Sequence, residues 1–198
     1  LAKKATPLFK RSLEIDKKTL GSDHPHLSRT LNNLALAYGD QGIYVKAEEL
    51  FKQALVIREK AFGPSHQDMS VIHSNLGELY YSQGFLPKAE QQYQKALLVH
   101  EENPSTNDKS KAQTLSNLSI LYFSQGLYEQ ATSANKRSVV LTLNLLQREL
   151  SYLANSERRS FLKEVSPLMG QSFSYATKNK LASRLAMFTR LNSQGLLE

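Results

Sequence analysis

A twelve-residue pattern recurs three times along the 198-residue chain at intervals of 42 positions. It reads LNNLALAYGDQG over 31–42, HSNLGELYYSQG over 73–84 and LSNLSILYFSQG over 115–126. The matching sets include Asn33, Asn75 and Asn117; Leu34, Leu76 and Leu118; Tyr38, Tyr80 and Tyr122; Gly42, Gly84 and Gly126; Ala47, Ala89 and Ala131. Periods of roughly 20 to 50 residues are typical of stacked supersecondary units. The chain is therefore expected to fold as an array of repeats.

Each repeat is predicted to form two helices. The first, over about 28–40, has apolar residues at the i, i+3, i+4, i+7 spacing of one buried stripe. Gly42 ends it, because glycine adopts positive φ freely. The second is predicted over about 44–61 and ends at the sequence GPSH. One such hairpin cannot bury its own apolar face, so neighbouring repeats must stack, which predicts an all-α fold.

The small and aromatic residues of the two helices resemble the tetratricopeptide repeat. The match is carried by Leu34, Ala35, Tyr38, Ala47, Phe51 and Ala54. The 42-residue length is similar to the kinesin light chain type of repeat. The resemblance implies a right-handed superhelix of antiparallel helix pairs that acts as a protein–protein interaction scaffold.

The repeat boundaries predict a tetratricopeptide array over 1–142 and a helical extension or cap over 143–198. The array comprises a half repeat over 3–25 and repeats over 26–67, 68–109 and 110–142. The chain is expected to begin halfway through a repeat, since Ala5, Phe9 and Leu13 match the second-helix residues 42 positions later. In the third repeat, Asn135 and Ser138 replace an aromatic residue and an alanine, which predicts looser or altered packing.

The resemblance also places the first helices on a concave, ligand-binding face. Asn33, Asn75 and Asn117 are unfavourable in helix interiors, where asparagine costs roughly half a kcal/mol relative to alanine. A row of carboxamides can bond the backbone of an extended peptide, because each carries donors and an acceptor. The alternative is that each amide bonds a neighbouring helix or water. Helical spacing adds groove candidates: Arg29, Leu36 and Asp40; Val71, Glu78 and Ser82; Gln113, Ile120 and Ser124.

The formal charge of +7 raises nucleic-acid binding as an alternative function. The basic residues cluster near the two ends, and only Arg29 among the groove candidates is basic, so a ligand of mixed polar and apolar character is favoured over nucleic acid. The chain has no cysteine, no nucleophile-elbow motif and no glycine-rich phosphate loop. We therefore expect neither an enzyme nor a cofactor. His24, His26 and His66 in the loops are expected to bond backbone groups rather than a metal.

The segment 143–198 departs from the 42-residue rule. A helical cap is predicted there, because solenoids need one to cover the last repeat. Its sequences SERRSFLKEV and LNSQGLLE also resemble the segment that precedes a caspase-like CHAT domain in bacterial repeat proteins. That resemblance implies a recognition or regulatory arm of a larger protein with a downstream domain. A third possibility is that the basic tail occupies the groove. The sequence has no apolar run long enough to span a membrane, so a membrane partner is not expected. A cytoplasmic location is expected.

Overall fold

A computed structural model describes residues 2–103 and 108–150. It divides into two compact units, Leu1–Thr106 and Asn107–Glu198. The helices of the first unit are α1 (Ala2–Leu20), α2 (His26–Gly39), α3 (Tyr44–Phe62), α4 (Gln67–Ser82) and α5 (Leu86–Glu102). Those of the second are α6 (Asp108–Ser124) and α7 (Tyr128–Leu150). The described part of the chain contains seven helices and no strand, which confirms the all-α prediction.

The helix ends follow the repeated glycine. Gly42, Gly84 and Gly126 have φ of 75°, 77° and 77°, in the region that favours glycine. Behind each glycine, a backbone N–H returns to the carbonyl of the repeated tyrosine at 2.9 Å, from Ile43 to Tyr38 in the first case. These bonds satisfy carbonyls that the helix end would otherwise leave open. The same turn therefore joins the two helices of every repeat.

Small residues on the first helices face larger residues on the second. Phe51 and Tyr93 are 1% and 2% exposed, and Ala35 and Gly77 are the small residues at the corresponding first-helix position. A Cβ atom on Gly77 would lie 2.7 Å from Cε1 of Tyr93, so only glycine leaves room for this ring. The first-helix residue is thus alanine where the second helix has phenylalanine, and glycine where it has the larger tyrosine.

The second unit replaces this aromatic packing by polar contacts. Asn135 is 3% exposed at the aromatic position. The hydroxyl of Ser119 donates to the Ala131 carbonyl at 2.8 Å, and that of Ser138 donates to the Ala112 carbonyl at 2.7 Å. Each bond joins α6 to α7. The altered packing expected for the third repeat therefore takes the form of buried hydroxyl–backbone hydrogen bonds.

The observed helices lie close to the predicted bounds, with α2 starting two residues before the expected position. Three apolar residues of the second helix α3 are only half-buried, namely Leu50, Leu55 and Ile57. Helix α7 continues past 142 to Leu150. The predicted helices and cap beyond that point, and the CHAT-like sequences, lie outside the described residues. Among the helices described, none combines the length and apolar character needed to cross a membrane.

Candidate functional site

Two clefts open between the first helices α2 and α4 of the first unit. The N-terminal cleft, of about 360 Å³, is lined by Ser28, Arg29, Asn32, Asn33, Arg58, Asp68, Val71 and Ile72. The C-terminal cleft, of about 250 Å³, is lined by Ala35, Leu36, Gly39, Asp40, Tyr44, Phe51, Asn75, Glu78, Leu79 and Ser82. The two clefts thus lie towards opposite ends of the same pair of parallel-running helices.

The eight groove candidates of the first unit all line one of these clefts. Arg29, Asn33 and Val71 lie in the N-terminal cleft. Leu36, Asp40, Asn75, Glu78 and Ser82 lie in the C-terminal cleft. Leu36 and Val71 are 39% and 41% exposed, which is high for apolar side chains on a packed helix pair. The helical spacing therefore brings these residues together on one surface.

The asparagines form a chain of amide contacts at this surface. The Nδ2 of Asn75 donates to Oδ1 of Asn32 at 2.9 Å, and the Nδ2 of Asn32 donates to Oδ1 of Asn33 at 3.4 Å. All three side chains are half-buried. The first contact joins α4 to α2, as the alternative of an amide bonded to a neighbouring helix requires.

The amides keep hydrogen-bonding capacity beyond these contacts. Each carboxamide offers two N–H donors and an acceptor oxygen. Within residues 2–103 and 108–150, neither the Oδ1 of Asn75 nor the Nδ2 of Asn33 has a hydrogen-bond partner. The amide row therefore has groups that a ligand backbone could engage while the inter-helix contact persists.

The charges of the two clefts differ in sign. The C-terminal cleft contains Asp40 and Glu78 and no basic residue. The N-terminal cleft contains Arg29, Arg58 and one carboxylate, Asp68. Arg58 Nη1 pairs with Asp68 Oδ2 at 3.1 Å, and the arginine side chain is only 13% exposed. An anionic group is therefore favoured at one end of the surface and disfavoured at the other.

Sequence reasoning missed several residues that line the two clefts, among them the polar residues Arg58, Asn32 and Asp68. Arg58 belongs to the second helix α3, whereas the resemblance assigns the ligand face to first helices. Asn32 does not recur, because Ser74 and Ser116 occupy the equivalent positions. The Asn-Asn pair at 32 and 33 was the available signal.

The remaining candidates lie on α6 in the second unit. Gln113 donates from Nε2 to Oδ1 of Asn117 at 2.9 Å, so this asparagine contacts its own helix. Ser124 donates to the Leu121 carbonyl at 2.7 Å, and Ile120 is half-buried. These residues share one helix with no charged member among them.

The loop histidines His24 and His66 bond backbone groups as expected, whereas Nδ1 of His26 lies 3.5 Å from Oδ2 of Asp16. Nδ1 of His24 accepts the backbone N–H of His26 at 3.2 Å, and Nδ1 of His66 accepts that of Asp68 at the same distance. The second bond caps the N-terminus of α4. No group of three potential metal ligands occurs in the described part of the chain.

Two further histidines lie in helix packing. Nδ1 of His73 contacts Oε1 of Gln92 at 2.9 Å between α4 and α5, and burial lowers the pKa of His73. His100 is 3% exposed within α5. Both residues therefore contribute to helix packing.

The family model of the tetratricopeptide repeat matches residues 2–60 and 68–139. The crystal structure of BtubC (BKLC) from P. vanneervenii is similar with a TM-score of 0.67 and 21% identity, covering 78% of this chain. The chain spans 60% of the length of that protein.

Nearly identical TPR-like repeats from a Podosopora anserina protein assigned to the kinesin light chains are also similar. Their structure gives a TM-score of 0.59 at 21% identity, and the similar region covers 97% of this chain and 87% of that chain. These likenesses show the fold. No curated protein matches the sequence significantly. The match of the family model over most of the chain shows that the chain belongs to the tetratricopeptide repeat family.

Proposed function

We propose that this chain binds an extended segment of a protein partner along the first-helix surface, with the asparagines reading the backbone of that segment. Tetratricopeptide repeat domains generally bind protein partners. The observation that carries the finer proposal is the half-buried amide row of Asn33, Asn32 and Asn75 between two clefts.

The chemistry of the surface suits an extended peptide. Main-chain N–H and C=O groups must retain hydrogen bonds when they are buried in a complex. Carboxamides supply both kinds of partner irrespective of the ligand's side chains. The clefts on either side of the row have room for side chains, and their partly exposed Leu36 and Val71 supply apolar contact. Backbone recognition and side-chain selection are thus separated in space.

The competing interpretation is that the amide row only joins α2 to α4. The two interpretations differ in what Asn75→Ala does. Loss of the bond to Asn32 costs about 1 kcal/mol, and the better helix propensity of alanine returns about half of that. We therefore expect little change in the free energy of unfolding and a clear loss of peptide binding. A purely structural amide would leave peptide binding intact.

The experiment is a displayed-peptide selection against the chain and against the triple variant in which Asn33, Asn75 and Asn117 are replaced by alanine. A matched control replaces three exposed apolar residues of the second helices, Val56, Leu98 and Val140, by alanine; these also recur at 42-residue intervals. Equal helicity by circular dichroism is required of all three proteins.

We expect peptides that bind the wild type and the second-helix control but not the asparagine variant. Binding that survives the asparagine changes and is lost in the control would refute the proposal and place the ligand on the second helices. The absence of any selected peptide would also count against it.

A further inference from the structure

Two lysines from different helices lie against the ring of Tyr38 on α2. The Nζ of Lys10, on α1, is 5.6 Å from the ring centroid, and the Nζ of Lys46, on α3, is 5.8 Å from it. Both lysines are exposed. Neither forms an ion pair with a described residue, although Glu14 and Glu49 lie about one turn further along the same helices. These three residues, Lys10, Tyr38 and Lys46, form a group that we call the Tyr38 site, and it carries two positive charges.

The hydroxyl group of Tyr38 is a further donor at this site. It has no hydrogen-bond partner in the part of the chain that the structure describes, although the residue is only 7% exposed. Its oxygen is not fully enclosed, so a group from outside the chain can reach it. Buried polar groups in folded proteins are normally hydrogen-bonded. A hydroxyl donor beside two ammonium groups calls for an acceptor that carries negative charge.

The next repeat contains such an acceptor at the matching position. The residues 42 positions after Thr6 and the three residues of the Tyr38 site are Glu48, Lys52, Tyr80 and Lys88. The hydroxyl of Tyr80 donates to Oε1 of Glu48 at 2.8 Å, and Nζ of Lys52 donates to the same oxygen at 2.6 Å. The Nζ of Lys88 lies 5.4 Å from the centroid of the Tyr80 ring. In that repeat, one carboxylate therefore accepts from tyrosine and lysine together.

The two repeats differ at the residue that supplies this carboxylate. Thr6 stands on α1 where Glu48 stands on α3. The Oγ1 of Thr6 accepts from Nε2 of Gln41 at 2.7 Å, and a threonine brings no negative charge. The first repeat thus keeps the tyrosine and both lysines, but its α1 helix does not supply the anion that they bind in the second repeat.

We propose that the Tyr38 site binds a phosphate group from outside the chain. A phosphate monoester carries about −1.5 to −2 charges at neutral pH and three acceptor oxygens, which match two ammonium groups and one hydroxyl. A carboxylate offers a single charge and two oxygens. The phosphate can belong to a phosphoserine of a protein or be free in solution, since both present the same oxygens. None of the three residues lines either cleft, so the inference goes beyond the proposed function and does not rest on it.

Nuclear magnetic resonance on the full chain with isotope-labelled tyrosine rings tests the proposal. The probes are inorganic phosphate and the peptide acetyl-Ala-Ala-Xaa-Ala-Ala-amide with phosphoserine, serine or glutamate at the central position. The pH is about 7.5, where a phosphate monoester is mostly doubly charged.

We expect saturable shifts of the Tyr38 ring resonances with the phosphoserine peptide, with inorganic phosphate or with both, and none with the serine peptide. Binding of inorganic phosphate alone would identify a free phosphate as the ligand, and tighter binding of the peptide would identify a phosphorylated protein. The glutamate peptide should bind about tenfold more weakly than the better phosphate probe. Unchanged Tyr38 resonances with both phosphate probes, or equal binding of the glutamate peptide, would overturn the proposal.

A change at Thr6 tests the comparison between the repeats. Thr6→Glu places on α1 the carboxylate that Glu48 places on α3, so it should compete with phosphate and weaken its binding about tenfold or more. Thr6→Gln is the matched uncharged variant and should weaken binding far less. Equal effects of the two changes, at equal helicity by circular dichroism, would contradict the proposal.

Two lysine variants separate a specific site from general attraction to a basic protein. Lys46→Gln should weaken phosphate binding about tenfold, as expected for loss of one charge-assisted contact. Lys88→Gln removes the same charge at the matching position of the next repeat and should leave binding unchanged. Equal weakening by both changes would refute the site. The variant that lacks Asn33, Asn75 and Asn117 should bind phosphate as the wild type does, so this test and that of the proposed function can fail independently.

Discussion

The contact between Gly77 and Tyr93 gives a prediction whose sign depends on the structure. In a helix interior free of contacts, replacing glycine by alanine stabilises a protein by about 1 kcal/mol. Here a Cβ atom at position 77 would lie 2.7 Å from Cε1 and 2.8 Å from Cδ1 of Tyr93. The ring is 2% exposed and cannot turn away into solvent. Overpacking of this kind costs about 1–3 kcal/mol. Gly77→Ala should therefore be destabilising by up to about 2 kcal/mol.

A double-mutant cycle isolates the contact. Tyr93→Leu alone is destabilising, because it removes a large buried ring. In that background the close approach at position 77 no longer exists, so Gly77→Ala should become stabilising. The sign reversal corresponds to a coupling free energy of about 2 kcal/mol, within the range for residues in contact.

The assay is denaturant unfolding followed by helical circular dichroism for the wild type, the two single variants and the double variant. Ala35→Gly is the matched control, because it makes the opposite change at the same repeat position beside Phe51. It should cost about 1 kcal/mol or slightly more. Stabilisation by Gly77→Ala in the wild-type background, with no coupling to Tyr93, would refute the packing argument.

Three further predictions concern polar groups in the helix contacts. Burial lowers the pKa of His73, so the contribution of the neutral imidazole to stability should be complete above pH of about 6.5 and lost as the pH falls further. Replacing both His73 and Gln92 by leucine should remove this acid dependence of the free energy of unfolding, as measured by denaturant unfolding. Burial and, to a smaller extent, the hydrogen bond to Glu48 raise the pKa of Tyr80 to about 12. The free energy of unfolding should therefore decrease as the pH rises from about 10 to about 12, and Tyr80→Phe should reduce this decrease. Absorbance at phenolate wavelengths in the same samples reports the titration. Ser138→Ala should cost about 1 kcal/mol in thermal or denaturant unfolding, although the other repeats have alanine there, because its hydroxyl bonds a backbone carbonyl; no measurable cost would contradict this.

The repeated pattern predicted the fold because the residues that determine each helix pair lie within a single repeat. Glycine at a fixed offset from tyrosine ends each first helix, and alanine opposite an aromatic ring fixes how closely the paired helices approach. These residues are close together in sequence or recur every 42 positions, so both features can be identified from the sequence alone. Asn135 and Ser138 also predicted looser or altered packing in the third repeat, but the bonds of Ser119 and Ser138 to backbone carbonyls depend on the relative position of two helices.

The surface between α2 and α4 was predicted only in part from the sequence. Period and helical spacing gave Arg29, Asn33 and Asn75. They did not give Arg58, because it belongs to a second helix and reaches the cleft only through the packing of α3 between its neighbours. Nor did they give the contact from Asn75 to Asn32, since that amide is absent from the other repeats. Contacts that occur in one repeat only have no periodic signal.

The central claim is that the asparagines recognise the backbone of a bound segment. The most direct measurement is the affinity of a selected peptide compared with that of the same peptide N-methylated at each backbone amide in turn. The claim predicts that methylation at one or more positions weakens binding about tenfold or more, and that the loss at that position largely disappears in Asn75→Ala or Asn33→Ala. Uniformly tolerated N-methylation, with affinity governed by side-chain substitutions alone, would contradict it.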